Sequence, residues 1–319
     1  MKSNMKALVV TAAVIGAAVP AAPASAATLV GTGTTSSDGA VTFTSHARAA
    51  DLVIGPSFSY NQRITEMGSK LHVSGPNCTV VDDHDANCVL ADAVVDLRGG
   101  DDIAKVADWG HMTVSGGAGD DRISADGNGT NVSGDGGSDL LIATSNGTTT
   151  VDGGPGADTL YGNGPGALLT GDDGKDTIIS NTASPRADGG DGADTIITVH
   201  AVPSGGTWGY LSGGNGNDVI VAELADTKYQ IAAGSYDGGA GNDVIDVTRD
   251  GEYADHVTCG DGNDTVYADR DDVVAADCET VVLGAPPAGS PAANAVAEGQ
   301  AFMADLRIPQ VPGPFMPGW

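Results

Sequence analysis

The sequence has little positive charge and few helix-forming residues. Only 14 of its 319 residues are Lys or Arg, against 42 Asp and Glu, of which only 5 are Glu. A net charge of -28 leaves no surface that neutralises phosphates, so neither nucleic-acid binding nor docking on an anionic membrane is expected. The 37 Asp and 48 Gly favour turns and supply oxygen ligands, which excludes a helical bundle. The expected partner is a cation.

Large aliphatic residues are also scarce. Leu, Ile, Val and Phe make up about a fifth of the chain, which together with the high net charge lies near the boundary of disordered sequences. A stable fold therefore needs something that offsets the negative charge.

The only long apolar run lies at the N-terminus. Lys2 and Lys6 precede an apolar run over residues 7–19, and small residues follow up to Ala26 or Ala27. This pattern predicts that residues 1–27 are a signal peptide cleaved at that point, so that the protein is secreted. The run is shorter than the roughly 20 residues that a membrane span needs, so no membrane insertion is expected.

Four cysteines remain after the leader: Cys78, Cys88, Cys259 and Cys278. In an oxidising compartment they are expected to form disulfides, with three possible connectivities. Pairing Cys78 with Cys88 and Cys259 with Cys278 closes the shortest loops. The spacings are not those of a zinc site.

A six-residue motif, GGxGxD with small variations, recurs through the middle of the chain. Each copy is followed by one variable residue and then an apolar residue. The eight copies begin at Gly116, Gly134, Gly153, Gly171, Gly189, Gly213, Gly238 and Cys259. A ninth, weaker copy, LRGGDDIA over residues 97–104, lacks the leading pair of glycines.

Eight copies in phase as GGxGxDxUx, where U is apolar, resemble the RTX, or haemolysin-type, calcium-binding repeat family. The resemblance covers roughly residues 95–283. It implies a right-handed parallel β-roll with calcium ions between its turns.

Two rows of apolar residues support the same architecture. The U residues are Ile123, Leu141, Leu160, Ile178, Ile196, Ile220, Ile245 and Val266. Nine positions before them lie Val114, Val132, Val151, Leu169, Ala187, Leu211, Tyr236 and Val257. Two nine-residue units per turn predict a solenoid of 18-residue coils in which short strands stack in parallel, with glycines allowing tight loops.

The motif aspartates recur once per coil, which predicts a row of cation ligands along one edge of the solenoid. They are Asp102, Asp121, Asp139, Asp158, Asp176, Asp194, Asp218, Asp243 and Asp264. The residues nine positions before the last eight are Met112, Thr130, Thr149, Ala167, Pro185, Gly209, Gly234 and Asp255, with a single carboxylate among them. The opposite edge should therefore hold plain turns and the extra residues of the longer coils, around 203–206 and 228–233.

Calcium takes six to eight oxygen ligands, which glycine-loop carbonyls and Asp carboxylates supply. An ion between two loops would take the aspartate of each, and the four most regular intervals are those from Asp121 to Asp194. The intervals that lead to Asp218, Asp243 and Asp264 could hold more, giving about four to eight Ca²⁺ ions in all.

The predicted organisation is thus all-β. Residues 28–95 alternate apolar and polar residues and are expected to form a short N-terminal β cap. Residues 96–283 form the parallel β-roll, and residues 284–319, rich in Pro and Ala, are expected to be a flexible tail.

The leading functional hypothesis is a secreted, non-catalytic protein that binds calcium and folds on binding it. The sequence has no HExxH or GxSxG motif. Two alternatives remain. One is a calcium-dependent parallel β-helix enzyme that acts on acidic polysaccharide, with Lys105, Arg122 or Lys175 beside the ion. The other is an adhesive component that binds cell-wall or matrix polymers.

Overall fold

The structure is a computed structural model. It describes the backbone of five N-terminal strands (41–44, 51–56, 61–66, 78–80 and 85–89) and residues 92–306, except 108–110, 128, 146, 165, 183, 199–208, 223–233 and 249–253. Side chains are described from Val94 onward.

Short strands dominate the described chain. The first thirteen are β1 (Val41–Thr44), β2 (Asp51–Pro56), β3 (Asn61–Glu66), β4 (Cys78–Val80), β5 (Asp85–Val89), β6 (Asp92–Asp96), β7 (Ile103–Ala107), β8 (His111–Ala118), β9 (Arg122–Gly127), β10 (Thr130–Gly136), β11 (Leu140–Ser145), β12 (Thr149–Asp152) and β13 (Thr159–Asn163). The remainder are β14 (Leu168–Thr170), β15 (Asp173–Gly174), β16 (Thr177–Asn181), β17 (Arg186–Gly192), β18 (Thr195–Thr198), β19 (Tyr210–Asn215), β20 (Val219–Val221), β21 (Ser235–Gly241), β22 (Val244–Asp246), β23 (His256–Gly262), β24 (Thr265–Ala268), β25 (Val273–Val274) and β26 (Thr280–Leu283), followed by the helix α1 (Pro291–Asp305).

The strands form two sheets, between which the chain alternates. The first sheet has the order β1-β6-β8-β10-β12-β14-β17-β19-β21-β23-β25, with β15 also paired to β17. The second has the order β26-β24-β22-β20-β18-β16-β13-β11-β9-β7-β2-β3-β5-β4. A coil therefore contributes one strand to each sheet, and successive coils pair in parallel, which confirms the predicted β-solenoid.

Equivalent residues of successive coils stack directly on one another. Val132 pairs with Val114 on one side and Val151 on the other, and in the second sheet Leu141 pairs with Ile123 in the same way. Both apolar rows point into the space between the sheets, where none of their members is more than 5 % exposed. The nine-residue period thus predicted the core correctly.

The N-terminal strands extend this stack. β1 pairs in parallel with β6, and β2 pairs in parallel with β7, so part of the predicted cap already has the geometry of a coil. β3, β5 and β4 then add antiparallel strands at the end of the second sheet. Cys78 lies directly opposite Cys88 across β4 and β5, as the predicted local pairing requires.

The flexible-tail prediction for residues 284–319 is wrong over part of that range, because Pro291–Asp305 form α1. The hydroxyl of Ser290 accepts a hydrogen bond from the N–H of Ala293 at 3.2 Å, and Pro291 follows the cap, where its missing N–H costs nothing. Among the described residues, no helix combines the length and apolarity that a membrane crossing needs. Residues 307–319 lie outside the described residues.

The helix packs along the outer face of the second sheet. On the sheet side the buried contact residues are Tyr161, Ile179, Ile197 and Val221, and on the helix side they are Ala292, Ala295 and Val296. The outward-facing positions of β13, β16, β18 and β20 are thus apolar, and without α1 they would form an exposed apolar patch.

Candidate metal centre

All nine predicted aspartates lie on one edge of the solenoid, in or beside the loops that connect a first-sheet strand to the next second-sheet strand. We call this the near edge, the opposite edge the far edge, and the nine residues from Asp102 to Asp264 the aspartate row. None of the nine side chains is more than 3 % exposed. The predicted phase of the repeat, with one carboxylate per coil at this edge, therefore corresponds to the observed placement.

Hydrogen bonds connect each member of the row to the next. The backbone N–H of Asp121 donates to Oδ1 of Asp139 at 2.7 Å, and the same bond recurs at every step from Asp102 to Asp264 at 2.7–2.8 Å. The sequence separation along these steps varies from 18 to 25 residues. The extra residues of the longer coils therefore do not disturb the near edge. The segments expected to hold them, 203–206 and 228–233, lie outside the described residues.

The second carboxylate oxygen, Oδ2, does not take part in these hydrogen bonds. It is buried and has no hydrogen-bond partner among the described residues in Asp121, Asp139, Asp158, Asp176, Asp194, Asp218, Asp243 and Asp264. A buried polar atom without a partner costs about 1–3 kcal/mol, and more when it is charged. Eight such atoms lie in a line without a partner among the described residues, and a bound cation would supply one.

A main-chain carbonyl lies beside these oxygens. A methyl group built on Gly134 would lie within 2.8 Å of both Oδ2 of Asp139 and the carbonyl oxygen of Gly153, in the following loop. The equivalent pair of oxygens surrounds the first glycine of six other loops: Gly116, Gly153, Gly171, Gly189, Gly213 and Gly238. Carboxylate and carbonyl oxygens from two successive loops are the hard donors that Ca²⁺ prefers, so the residues present fit this ion.

Side chains alone do not form a metal site. Within the described part of the chain, no three His, Cys, Asp or Glu residues come together in a group that could hold a metal ion. A cation at the near edge would therefore depend on main-chain carbonyls as well as on the aspartate row.

Burial alters the ionisation of the row. It raises the pKa of Asp121, Asp176 and Asp218 from 3.8 to about 7, and that of Asp158 and Asp243 to about 6. The N–H bond to Oδ1 lowers these pKa values, while neighbouring carboxylates raise them further. Burial also raises the pKa of three further members, Asp139, Asp194 and Asp264. Without a cation, Asp121, Asp176 and Asp218 therefore hold protons close to neutral pH.

The sequence analysis did not predict the last acceptor in this series of hydrogen bonds between coils. Oε2 of Glu279 accepts a hydrogen bond from the N–H of Asp264 at 2.9 Å and so takes the place of a tenth aspartate. Glu279 lies two residues before Val281, the spacing that separates each motif aspartate from its apolar U residue. That spacing alone is a weak signal, because this turn has no glycine motif.

Near the C-terminal end of the solenoid, carboxylates also accept hydrogen bonds between coils at the far edge. Oδ1 of Asp255 accepts a hydrogen bond from the N–H of Gly234 at 2.6 Å, and Oδ1 of Asp272 accepts one from the N–H of Asp255 at 3.0 Å. The sequence analysis did not predict that Asp272 accepts a hydrogen bond from a neighbouring coil. The basic residues of the enzyme alternative, Lys105, Arg122 and Lys175, are all exposed.

The predicted disulfide between Cys259 and Cys278 is present, with 5.2 Å between its Cα atoms. Cys259 is fully buried and occupies the first position of the last glycine loop, where the seven preceding loops have glycine.

Comparison with known proteins identifies no relative, since no protein-family model, curated protein or solved structure matches the chain. The functional argument therefore depends on the repeat and on the geometry of the near edge.

Proposed function

We propose that the protein is a secreted, non-catalytic calcium-binding β-solenoid of the RTX type, which binds Ca²⁺ between successive near-edge loops. The observation that carries the proposal is the line of eight buried Oδ2 atoms, each without a hydrogen-bond partner among the described residues. Seven of the eight, those of Asp121 to Asp243, also lie beside a loop carbonyl. These atoms belong to the aspartates that the sequence motif singles out.

The residues that would hold the ions are the aspartate row and the carbonyls of the first residue in each loop. When bound, Ca²⁺ supplies positive charge between loops that otherwise stack carboxylates on carboxylates. The Oδ1 bonds hold each carboxylate in place, and the loop glycines let Oδ2 and the carbonyl of the next loop approach the backbone closely. The protein's own part is therefore to present oxygens from two coils at a fixed spacing.

Calcium binding is expected to drive folding. The strands are only 2 to 8 residues long and are not stable singly, while a net charge of -28 opposes compaction. Ions that bind only the stacked form therefore add their binding free energy to its stability. The affinity expected of an extracellular calcium module is about 10⁻⁴ to 10⁻³ M.

Circular dichroism during calcium titration tests the proposal. We expect a weak β signal in EGTA that rises with millimolar Ca²⁺ and is lost again on chelation. Asp158→Asn with Asp176→Asn should shift the midpoint to higher calcium concentration, because two neighbouring carboxylates lose their charge.

Asp173→Asn is the matched control for that double variant. It removes a carboxylate from the same glycine loop as Asp176, but Asp173 is exposed, and the midpoint should hardly change. A β signal that is already complete in EGTA, and unchanged by calcium, would contradict the proposed function.

A further inference from the structure

The near edge of the solenoid ends in a turn that carries no glycine motif. Residues 275–279, which we call the closing turn, connect β25 to β26. The register pairs Val257 with Val274 and Thr265 with Thr280, so the closing turn lies over residues 258–264, which include the last glycine loop. The closing turn therefore takes the place of a further near-edge loop, with fewer residues and a different sequence.

A disulfide and a hydrogen bond hold the end of the closing turn on the last glycine loop. Cys278 is bonded to Cys259, the first residue of that loop. The next residue, Glu279, accepts a hydrogen bond at Oε2 from the N–H of Asp264 at 2.9 Å. The Glu279 carboxylate thus lies where the aspartate of a further coil would accept the same bond, although no repeat motif contains it.

Asp264 has a buried oxygen that meets no donor. Its side chain is fully buried, Oδ1 accepts the N–H of Asp243 at 2.8 Å, and Oδ2 has no hydrogen-bond partner among the described residues. Burial raises the pKa of Asp264, and the negative charges of Glu279 and Asp277 raise it further, so both carboxylates lie close to this one. Oδ2 of Asp264 therefore lacks a partner in the same way as its equivalents in the interior of the row.

The ligands available at this end differ from those between two glycine loops. Glu279 is exposed, so an ion that contacts it and Asp264 would keep water molecules on its open side. Ca²⁺ accepts carboxylate, carbonyl and water oxygens together. Since no three acidic, His or Cys side chains of the described residues form a group that could hold a metal ion, water and main-chain oxygens would complete the coordination.

We propose that Asp264 and Glu279 bind a further Ca²⁺ ion in a terminal site, which the Cys259–Cys278 disulfide holds in place. This inference rests on the proposed function and adds to its ligands a residue that lies outside the glycine repeat. Each of the two residues supplies a carboxylate oxygen, one from the last glycine loop and one from the closing turn. The disulfide fixes the residue next to Glu279 and so limits how far this carboxylate can move from Asp264.

Counting bound calcium on the oxidised full chain by native mass spectrometry tests the terminal site. At the lowest calcium concentration that saturates the parent protein, Glu279→Gln should bind one ion fewer. Its amide oxygen can still accept the N–H of Asp264, so the variant loses the charge and keeps the hydrogen bond. The fold should therefore be retained, and circular dichroism in calcium checks this.

Asp277→Asn is the matched control. It removes one charge from the same closing turn, and its amide oxygen can still accept the hydrogen bond that the N–H of Gly260 donates to Asp277 at 3.2 Å. Asp277 is not a ligand of the terminal site, so this variant should bind as many ions as the parent protein.

The role of the disulfide has a separate test. Cys259→Ser with Cys278→Ser frees the closing turn from the last glycine loop and should also bind one ion fewer than the parent protein. Adding Glu279→Gln to this double variant should remove no further ion, because the terminal site is already lost.

The outcomes separate the terminal site from the proposed function. A parent protein that binds no calcium contradicts the function itself. A folded Glu279→Gln variant that binds as many ions as the parent overturns the terminal site, and so do equal losses in Glu279→Gln and Asp277→Asn. A loss in Glu279→Gln without a loss in the cysteine double variant overturns the role of the disulfide. If Glu279→Gln does not fold, the cysteine double variant decides, and an unchanged ion count in it overturns the inference.

Discussion

Each interior aspartate of the row has two oxygens with different tasks. Oδ1 accepts the N–H of the preceding coil and holds the stack in register, while Oδ2 is buried without a partner among the described residues. The positions of these residues could be predicted because the motif repeats in phase with the core. The Oδ1 bond could not, since it depends on the register of two coils that are 18 to 25 residues apart.

The raised pKa values predict an acid-stabilised form in the absence of calcium. The pKa of Asp121, Asp176 and Asp218 rises from 3.8 to about 7 on folding, so the folded state binds protons more tightly than the unfolded chain. This contribution to stability is complete below pH 3.8 and is lost as the pH rises through about 7. In EGTA the β signal should therefore increase from pH 8 to pH 4.

Calcium should reverse this dependence, because the ion needs the carboxylate form and competes with protons. The calcium concentration at the folding midpoint should then rise on acidification from pH 8 to pH 6. Circular dichroism in EGTA that is independent of pH would show that the row does not titrate in this range.

At the scale of elements, the strands were predictable and the helix was not. The strand pattern is repeated many times, and β-branched residues fill the stacked positions, as at Ile178 and Ile196. The segment that forms α1 occurs once, is rich in small residues and lies among prolines, so its sequence resembles a linker. What stabilises the helix is the apolar outer face of the second sheet, which only the folded solenoid presents.

A substitution in α1 should weaken the packing of the helix on the solenoid. Phe302 packs against Tyr161 with 6.0 Å between ring centroids, and Phe302→Ala should lower the free energy of unfolding in calcium by about 1–3 kcal/mol. Gln300→Ala, at an exposed position of the same helix, is the control and should change it by less than about 0.5 kcal/mol. Urea unfolding gives both values. Equal effects of the two variants would mean that the helix does not contribute to stability through this face.

At the scale of the whole molecule, each coil contacts little besides the coils before and after it, so stability depends on how the two ends are closed. At the N-terminal end the second sheet continues into the antiparallel strands β3, β5 and β4. At the C-terminal end the last strand, β26, leaves Val281 and Leu283 at 47 % and 65 % exposure. The Cys259–Cys278 bond therefore closes an end that leaves apolar side chains exposed.

Removing this bond should destabilise the protein. Cys259→Ser with Cys278→Ser releases a loop with a sequence separation of 19, which should lower the free energy of unfolding in calcium by about 2–4 kcal/mol. Urea unfolding under non-reducing conditions measures the change. Adding reductant should then affect the parent protein more strongly than the double variant. An unchanged unfolding midpoint would mean that the end of the stack is held by other contacts.

The hydrogen bonds along the aspartate row keep the same length whatever the number of residues in a coil, so coils of different length can stack in one solenoid. Coils whose aspartates are 18, 24 or 25 residues apart are joined by the same 2.8 Å bond, so the rise per coil stays at about 4.8 Å whatever the contour length between rungs. The coils are thus evenly spaced at the near edge, while the far edge accepts turns of different length. Peptides grafted into successive far-edge turns would be displayed at multiples of that step.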